Sequence, residues 1–456
     1  MLRAKPGDPM LIIAALIACA PPPMVQKTLA NGLQIVVVEN HAQPLVTIEL
    51  AVRNGSMTEP PEYNGLSHLY EHMFFKANQA VPSQEEWLKK ARGLGLRWNG
   101  STDTERVNYF VTTTSDHFDG AMEFMRDAIV TPKFDPKELD KERVVVTGEI
   151  DRNESSPNYY LFHEANKRVF YKYPSRKDPL GDRKTVLKTT VDQMKTIQLR
   201  YYVPNNSALL VTGDVKADDV FAMADKLYSS TWKRAEDPFV KFPLVQHPAL
   251  PGTSVVLVQQ PVQTLTGMMI WHGPSVKGDE IPMTYASDLL SFAEGEPSSK
   301  MQQTLVDSGA CVAASMGWQT QSNVGPITIY FEAVPDKADG CIKAILAELP
   351  KMKDASYISD DEIKNATFSA EMNDMRSREK PSELTHLLSF WWTTSGLDYY
   401  VGYVPNLKKV TRPQIAAYLD KYMIGKPYVL AVLVSPEMAK SGLDQKHFEG
   451  LVGVKK

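Results

Sequence analysis

Two histidines and a glutamate stand in the order His68-Leu69-Tyr70-Glu71-His72. On a helix, positions four apart share a face, so the two imidazoles can bind one metal ion. Glu71, three after His68, stays near that face. A carboxylate there can take a proton from an activated water and pass it to a leaving amine. Catalytic zinc usually keeps three protein ligands and one open position, so a third ligand must come from elsewhere in the chain. The best candidate is Glu149, in Thr147-Gly148-Glu149-Ile150, with 76 residues (73 to 148) between it and His72. Glu142 lies seven residues earlier, two helical turns away on a similar face, where it could hydrogen-bond a ligand histidine and fix its orientation. Zinc is the default metal, although a His, His, carboxylate set also accepts cobalt or manganese. The competing reading is a polar helix edge beside a core stripe of Met73, Phe74 and Phe75; the downstream acid argues against it.

These residues need helices under them and a sheet beside them. Helical patterns fall around 64–76, 83–93 and 117–130, and again from Glu138 to Asn153. Gln34–Val38 and Leu45–Val52 read as strands, with Asn31-Gly32 supplying turn chemistry just before the first. Ser207–Gly213 reads as a closing strand. The same order recurs about 220 residues on: strands at Ser254–Val258 and Thr266–His272, a helix around Asp361–Met375, and a strand at Tyr428–Val434. Self-similarity at this period predicts duplicated domains, and mixed strands and helices make the class α+β. The expected divisions are a leader over 1–24, a metal-bearing domain over 25–235 and a proline-rich linker over 236–250. A second domain without the motif follows over 251–440, then a tail over 441–456.

The bulk numbers narrow the rest. With 456 residues, 43% hydrophobic and 23% charged, the chain is a globular protein of more than one core. A net charge of -4 without a basic stripe argues against nucleic acid. Arg3 and Lys5 precede an apolar run from Met10 to Ile17, which reads as an export signal and is too short to span a membrane. Leu16-Ile17-Ala18-Cys19 resembles a bacterial lipobox, so a lipid anchor at Cys19 and a periplasmic location are expected. Cys311 and Cys341 could pair in an oxidising compartment, but the expectation is two unpaired, small apolar side chains.

The segment Gly65-Leu66-Ser67-His68 running into Glu71-His72-Met73 resembles the M16 family, which includes insulin-degrading enzyme, pitrilysin and the mitochondrial processing peptidase. Asn31-Gly32-Leu33, Gly55-Ser56, the 76-residue gap to Glu149 and the acid at Glu142 add to it. The His-x-x-Glu-His order is the inverzincin signature. The resemblance covers nearly the whole chain after the leader. It implies two homologous α/β-sandwich domains forming half of a clamshell, one zinc per chain on His68, His72 and Glu149, and Glu71 as base. It also implies a chamber for peptides or unfolded segments. Trp98-Asn99-Gly100-Ser101-Thr102 matches the family's edge strand, to which a substrate would add as a further strand, with Asn99, Gly100 and Ser101 contacting it. Read alone, Asn99-Gly100 is turn chemistry.

One departure stands out. Family members that work alone carry an Arg and a Tyr in the second domain that hold the substrate carbonyl. Val306 and Val312 fall about where those belong, and neither side chain donates a hydrogen bond. The expectation is a heterodimer whose homologous partner supplies Arg and Tyr. A non-hydrolytic scaffold or peptide-binding subunit is the alternative.

Overall fold

The computed structural model of the protein describes residues 23–454. The apolar leader run and Cys19 lie outside the described residues. Two sheets form the framework. The first has six strands in the order β1-β2-β6-β3-β5-β4. These are β1 (Val25–Thr28), β2 (Gln34–Glu39), β3 (Leu45–Val52), β4 (Arg97–Thr102), β5 (Val107–Thr114) and β6 (Ser207–Gly213). The second has five in the order β7-β11-β8-β10-β9. These are β7 (Ser254–Gln259), β8 (Leu265–His272), β9 (Ala313–Trp318), β10 (Pro326–Ala333) and β11 (Val429–Val434). Within each sheet one pair is parallel, β2 with β6 and β7 with β11, and the remaining pairs are antiparallel. Apart from the additional β1, the two orders are the same, so the duplication read from the sequence is a duplication of topology.

The helices that matter for the site are α1 (Leu66–Phe74), α2 (Gln84–Gly93), α3 (Phe118–Val130), α4 (Pro136–Glu154) and α5 (Pro157–Val169). Their counterparts in the second half include α6 (Ile281–Glu294), α7 (Asp360–Ser377) and α8 (Pro381–Thr394). Asp135 caps α4, its side chain accepting from the backbone of Lys137 and Glu138, and Pro136 sits at the first helical position, where its missing N–H costs nothing.

Near-continuous apolar runs such as Gln34-Ile35-Val36-Val37-Val38 suit strands buried on both faces. One face of the first sheet, through Ile35, Val37, Ile48 and Leu50, packs on its own helices α1 and α3. The other face, through Val36, Val38 and Leu210, joins the second domain's core with Leu384 and Leu388 of α8. The exchange is reciprocal: Leu161, Ala165 and Val169 of α5 pack on Met268, Ile270 and Val429 of the second sheet. Each half therefore lends a helix to cover the other's sheet. Polar ties reinforce the seam. Arg53 stacks on the Trp392 ring at 4.0 Å, and both carboxylate oxygens of Glu105 accept from the Ser322 N–H.

One expectation needs correction. Cys311 and Cys341 are not unpaired; they form a disulfide with Cα atoms 5.0 Å apart. Both are buried, and their 30-residue separation hid a proximity that only the packing of the second domain creates. The segment after 440 is described as far as residue 454. Helix Gln445–Leu451 places Phe448 fully buried in the second core, because that ring covers apolar surface that β7 would otherwise expose. The segment 236–250 holds one short helix, Pro238–Lys241, and is otherwise irregular.

Candidate active site

The helix α1 carries His68, Glu71 and His72 on the face toward α4 and β4. Its N-terminus lies in the interior and needs a cap, yet its capping position is Gly65, at φ 94°. Gly65 packs against the Gly181 backbone so closely that a Cβ would lie 2.9 Å from the Gly181 Cα, so no capping side chain fits. Glu59 supplies the cap instead: its two oxygens accept from the N–H groups of Gly65 at 2.8 Å and Ser67 at 2.6 Å, one turn before His68. Burial pushes the Glu59 carboxyl up to about 7 despite those bonds.

The structure brings the predicted ligands together. Nε2 of His68 lies 3.3 Å from Oε2 of Glu149, and Nε2 of His72 lies 3.8 Å from the same oxygen. One atom each from His68, His72 and Glu149 falls within 4.8 Å of the others, and this is the one such group among the described residues. Ligands about 2.0–2.2 Å from a tetrahedral zinc are separated by about 3.4 Å, so these spacings fit the ion. The donor chemistry fits too. Oε2 of Glu142 meets Nδ1 of His72 at 3.0 Å, which places the proton on Nδ1 and turns the Nε2 lone pair toward the Glu149 carboxylate. Two lone-pair donors facing each other call for a cation between them.

Charge distribution in the site follows from burial and pairing. Hydrogen bonding to His68 holds the Glu149 carboxyl below its ordinary value against its desolvation. Burial works to lower the His68 pKa, but Glu149 and Glu71 outweigh it and leave it raised. Burial raises the Glu71 carboxyl, with the two histidines opposing. Burial works to raise the Glu142 carboxyl too, but its bonds to His72 and Lys76 prevail and lower it. Lys76, which sequence reasoning missed, is buried and holds Oε1 of Glu142 at 2.7 Å. Its place four residues after His72 was the available signal.

The segment around Asn99-Gly100 is not a turn. It lies within β4, which pairs with β5 through Asn99 opposite Phe110 and Gly100 opposite Tyr109. Strand β4 ends the sheet, so no strand pairs its outer edge among the described residues. Gly100 is required by a close approach: a Cβ there would lie 2.7 Å from Oε1 of Glu71. The Thr102 hydroxyl reaches Oε2 of Glu71 at 3.5 Å. The cleft over these three residues is lined by α1 and the Phe75 and Lys76 that follow it, by β4 and α4, and by Gln84 of α2; no described residue beyond Glu149 lines it. Val306 packs against the second core, and Val312 is half exposed on the second domain. In α6, the counterpart of α1, Asp288 takes hydrogen bonds from Trp318 Nε1 and Tyr403, with no ligand set around it.

Two family models cover most of the chain. Residues 34–181 match Insulinase (Peptidase family M16), and residues 188–368 match the Peptidase M16 inactive domain. The chain belongs to the M16 peptidase family. It is 25% identical over 355 residues to an uncharacterized zinc protease of Rickettsia felis, covering 77% of this chain and 83% of that one. It is 25% identical over 368 residues to the zinc protease PqqE of Helicobacter pylori, covering 79% and 80%. A protease from Helicobacter pylori shares the fold at a TM-score of 0.82 and 22% identity, over 91% of this chain and all of that one. The first half of the periplasmic protease PqqL from Escherichia coli does so at 0.76 and 18%, over 96% and 98%. In this family setting the two domains form one half of a clamshell.

Proposed function

We propose that this chain is the zinc-bearing subunit of an endopeptidase that hydrolyses peptides or unfolded polypeptide segments. One observation carries the reading: the nitrogens of His68 and His72 converge with Glu149 beside the Glu71 carboxylate, directly against an unpaired strand edge. When bound, zinc supplies Lewis acidity, acidifying a water and polarising a carbonyl. Strand β4 binds an extended peptide by backbone hydrogen bonds along its free edge, which sets the scissile carbonyl over the site. Glu71 takes the proton from the attacking water and returns it to the leaving nitrogen. Gly100 keeps the strand close enough for one carboxylate to serve both.

The partner follows from what the cleft lacks. Among the described residues its lining comes only from the first domain, and Val306 and Val312 offer no donor for the charge that develops on the carbonyl oxygen. A homologous subunit bringing Arg and Tyr completes the centre and closes the chamber. The Cys311–Cys341 disulfide supports export to an oxidising compartment, in keeping with a bacterial periplasm and a lipid anchor at Cys19.

Glu71→Gln is expected to abolish hydrolysis and keep zinc, and His68→Ala to lose both. Unchanged turnover in Glu71→Gln overturns the mechanism. A second reading, a non-hydrolytic peptide-binding or scaffold subunit, draws on Val306 and Val312. It predicts peptide affinity without turnover when the chain is co-expressed with its homologous partner. Equal turnover by the chain alone and by the pair removes the heterodimer.

A further inference from the structure

Strand β3 carries one charged side chain, Glu49, and it is fully buried near the middle of the first sheet. Placing a carboxylate there costs desolvation unless its oxygens are paired. Both are. Oε1 accepts from Asn108 Nδ2 at 2.7 Å, and Oε2 meets Nδ1 of His386, on α8 of the second domain. A carboxylate only accepts, so Asn108 must turn its amide N–H groups to Glu49 and its carbonyl outward. That carbonyl accepts from the Ser101 hydroxyl at 2.5 Å. Ser101 lies directly opposite Asn108 in the β4–β5 ladder, one residue from Gly100 and one from Thr102. The direction of every hydrogen bond in the row is therefore set by the buried acid.

A second tie parallels the first. Arg106, in the turn that joins β4 to β5, donates to the His386 carbonyl at 2.9 Å and to the Ser389 hydroxyl at 2.8 Å. The His386 ring also stands edge-on to Phe110, centroids 4.2 Å apart, and Phe110 is opposite Asn99. The hairpin bearing the peptide-receiving strand is thus held along its length by one helix of the other domain. An edge strand has neighbours on one side only, and a displacement near 1 Å at a reacting centre can cost about 10²-fold in rate.

We propose that Ser101, Asn108, Glu49 and His386 are positioning residues: a directed chain of hydrogen bonds through which the second domain sets the seat of β4, and with it the substrate strand, against Glu71. The inference rests on the proposed peptide-binding role of β4. Linked residues that never touch should be energetically coupled, whereas independent packing contacts should be additive.

The test uses the full zinc-loaded chain in a Glu71→Gln background, which removes hydrolysis from the readout. A fluorescein-labelled unstructured peptide reports affinity by anisotropy, and amide hydrogen exchange reports the mobility of residues 97–102. Ser101→Ala and His386→Leu should each weaken binding about fivefold, and the double variant no more than either alone. His386→Asn, whose amide can replace Nδ1 against Glu49, should bind like the parent. Exchange of 97–102 should quicken in Ser101→Ala and His386→Leu with zinc content unchanged. Losses that multiply in the double variant, or unchanged exchange, overturn the chain. Should His386→Leu not fold, Ser101→Ala decides by its exchange at 97–102, with His386→Asn as the folded control. Should the peptide not bind, exchange in the single and double variants decides by the same additivity criterion. Peptide binding without hydrolysis by the Glu71-bearing pair overturns the proposed function and leaves this coupling in place.

Discussion

Glu142 stands behind His72: its Oε2 lies 3.0 Å from Nδ1 of the imidazole, and its Oε1 holds the buried Lys76 ammonium at 2.7 Å. Glu142 would thus orient the other nitrogen of His72 toward a bound ion without being one of the three clustered groups. Glu142→Ala should weaken zinc binding about 10- to 100-fold, and Glu142→Gln should do so less, because its amide oxygen still accepts from Nδ1. Competition with a zinc chelator measures this directly. Excess zinc should restore whatever peptide hydrolysis Glu142→Gln has lost.

Gly100 and Glu71 are in contact through the space a Cβ would take, 2.7 Å from Oε1. Gly100→Val should push the strand and the carboxylate apart while leaving the three ligands alone. A loss of about 10²-fold in kcat/KM is expected at full zinc content, read from a fluorogenic peptide assay on zinc-quantified protein.

Cys311 and Cys341 close a loop across a separation of 30 residues in the second domain. Cross-linking a loop of that length stabilises the native state by about 3–4 kcal/mol on the chain-entropy account. Cys311→Ser with Cys341→Ser should lower the denaturation midpoint accordingly, and reductant should lower that of the wild type but not of the variant.

The carboxyl of Glu59, raised to about 7 by burial against an ordinary 4.5, makes folding depend on pH. Between those values the folded chain holds a proton that the unfolded chain has released. The contribution is therefore full below about pH 4.5 and is lost as pH rises through about 7, worth up to about 3 kcal/mol. Denaturant titrations from pH 4.5 to 8 should show a flatter pH dependence in Glu59→Gln than in the wild type.

Much of this was legible in the chain itself. His68, Glu71 and His72 are local, and a helix is enough to align them. The period near 220 residues gave the duplication, because each copy repeats the same alternation of apolar runs. Glu49 shows the limit. Inside Leu45–Val52 it breaks a buried strand, and nothing near it in the sequence says why; its partners lie 59 and 337 positions away. Lys76 pairs with Glu142 on another helix, and Cys311 pairs with Cys341 across 30 positions; Glu59, by contrast, caps N–H groups only 6 and 8 positions away.

The sequence by itself named the candidate metal set that the structure gathers, since donor type and helical spacing are properties of a short segment and Glu149 could be singled out as the distant acid. Only the tertiary structure decided that Asn99 and Gly100 belong to an edge strand and not to a turn. It alone showed that each domain's sheet is covered by a helix of the other, and that a row from Ser101 through the buried Asn108 and Glu49 to His386 joins the cleft to the second domain. Those facts depend on which distant surfaces exclude water together, and a hydrogen bond between residues hundreds of positions apart leaves no mark on the local pattern of either.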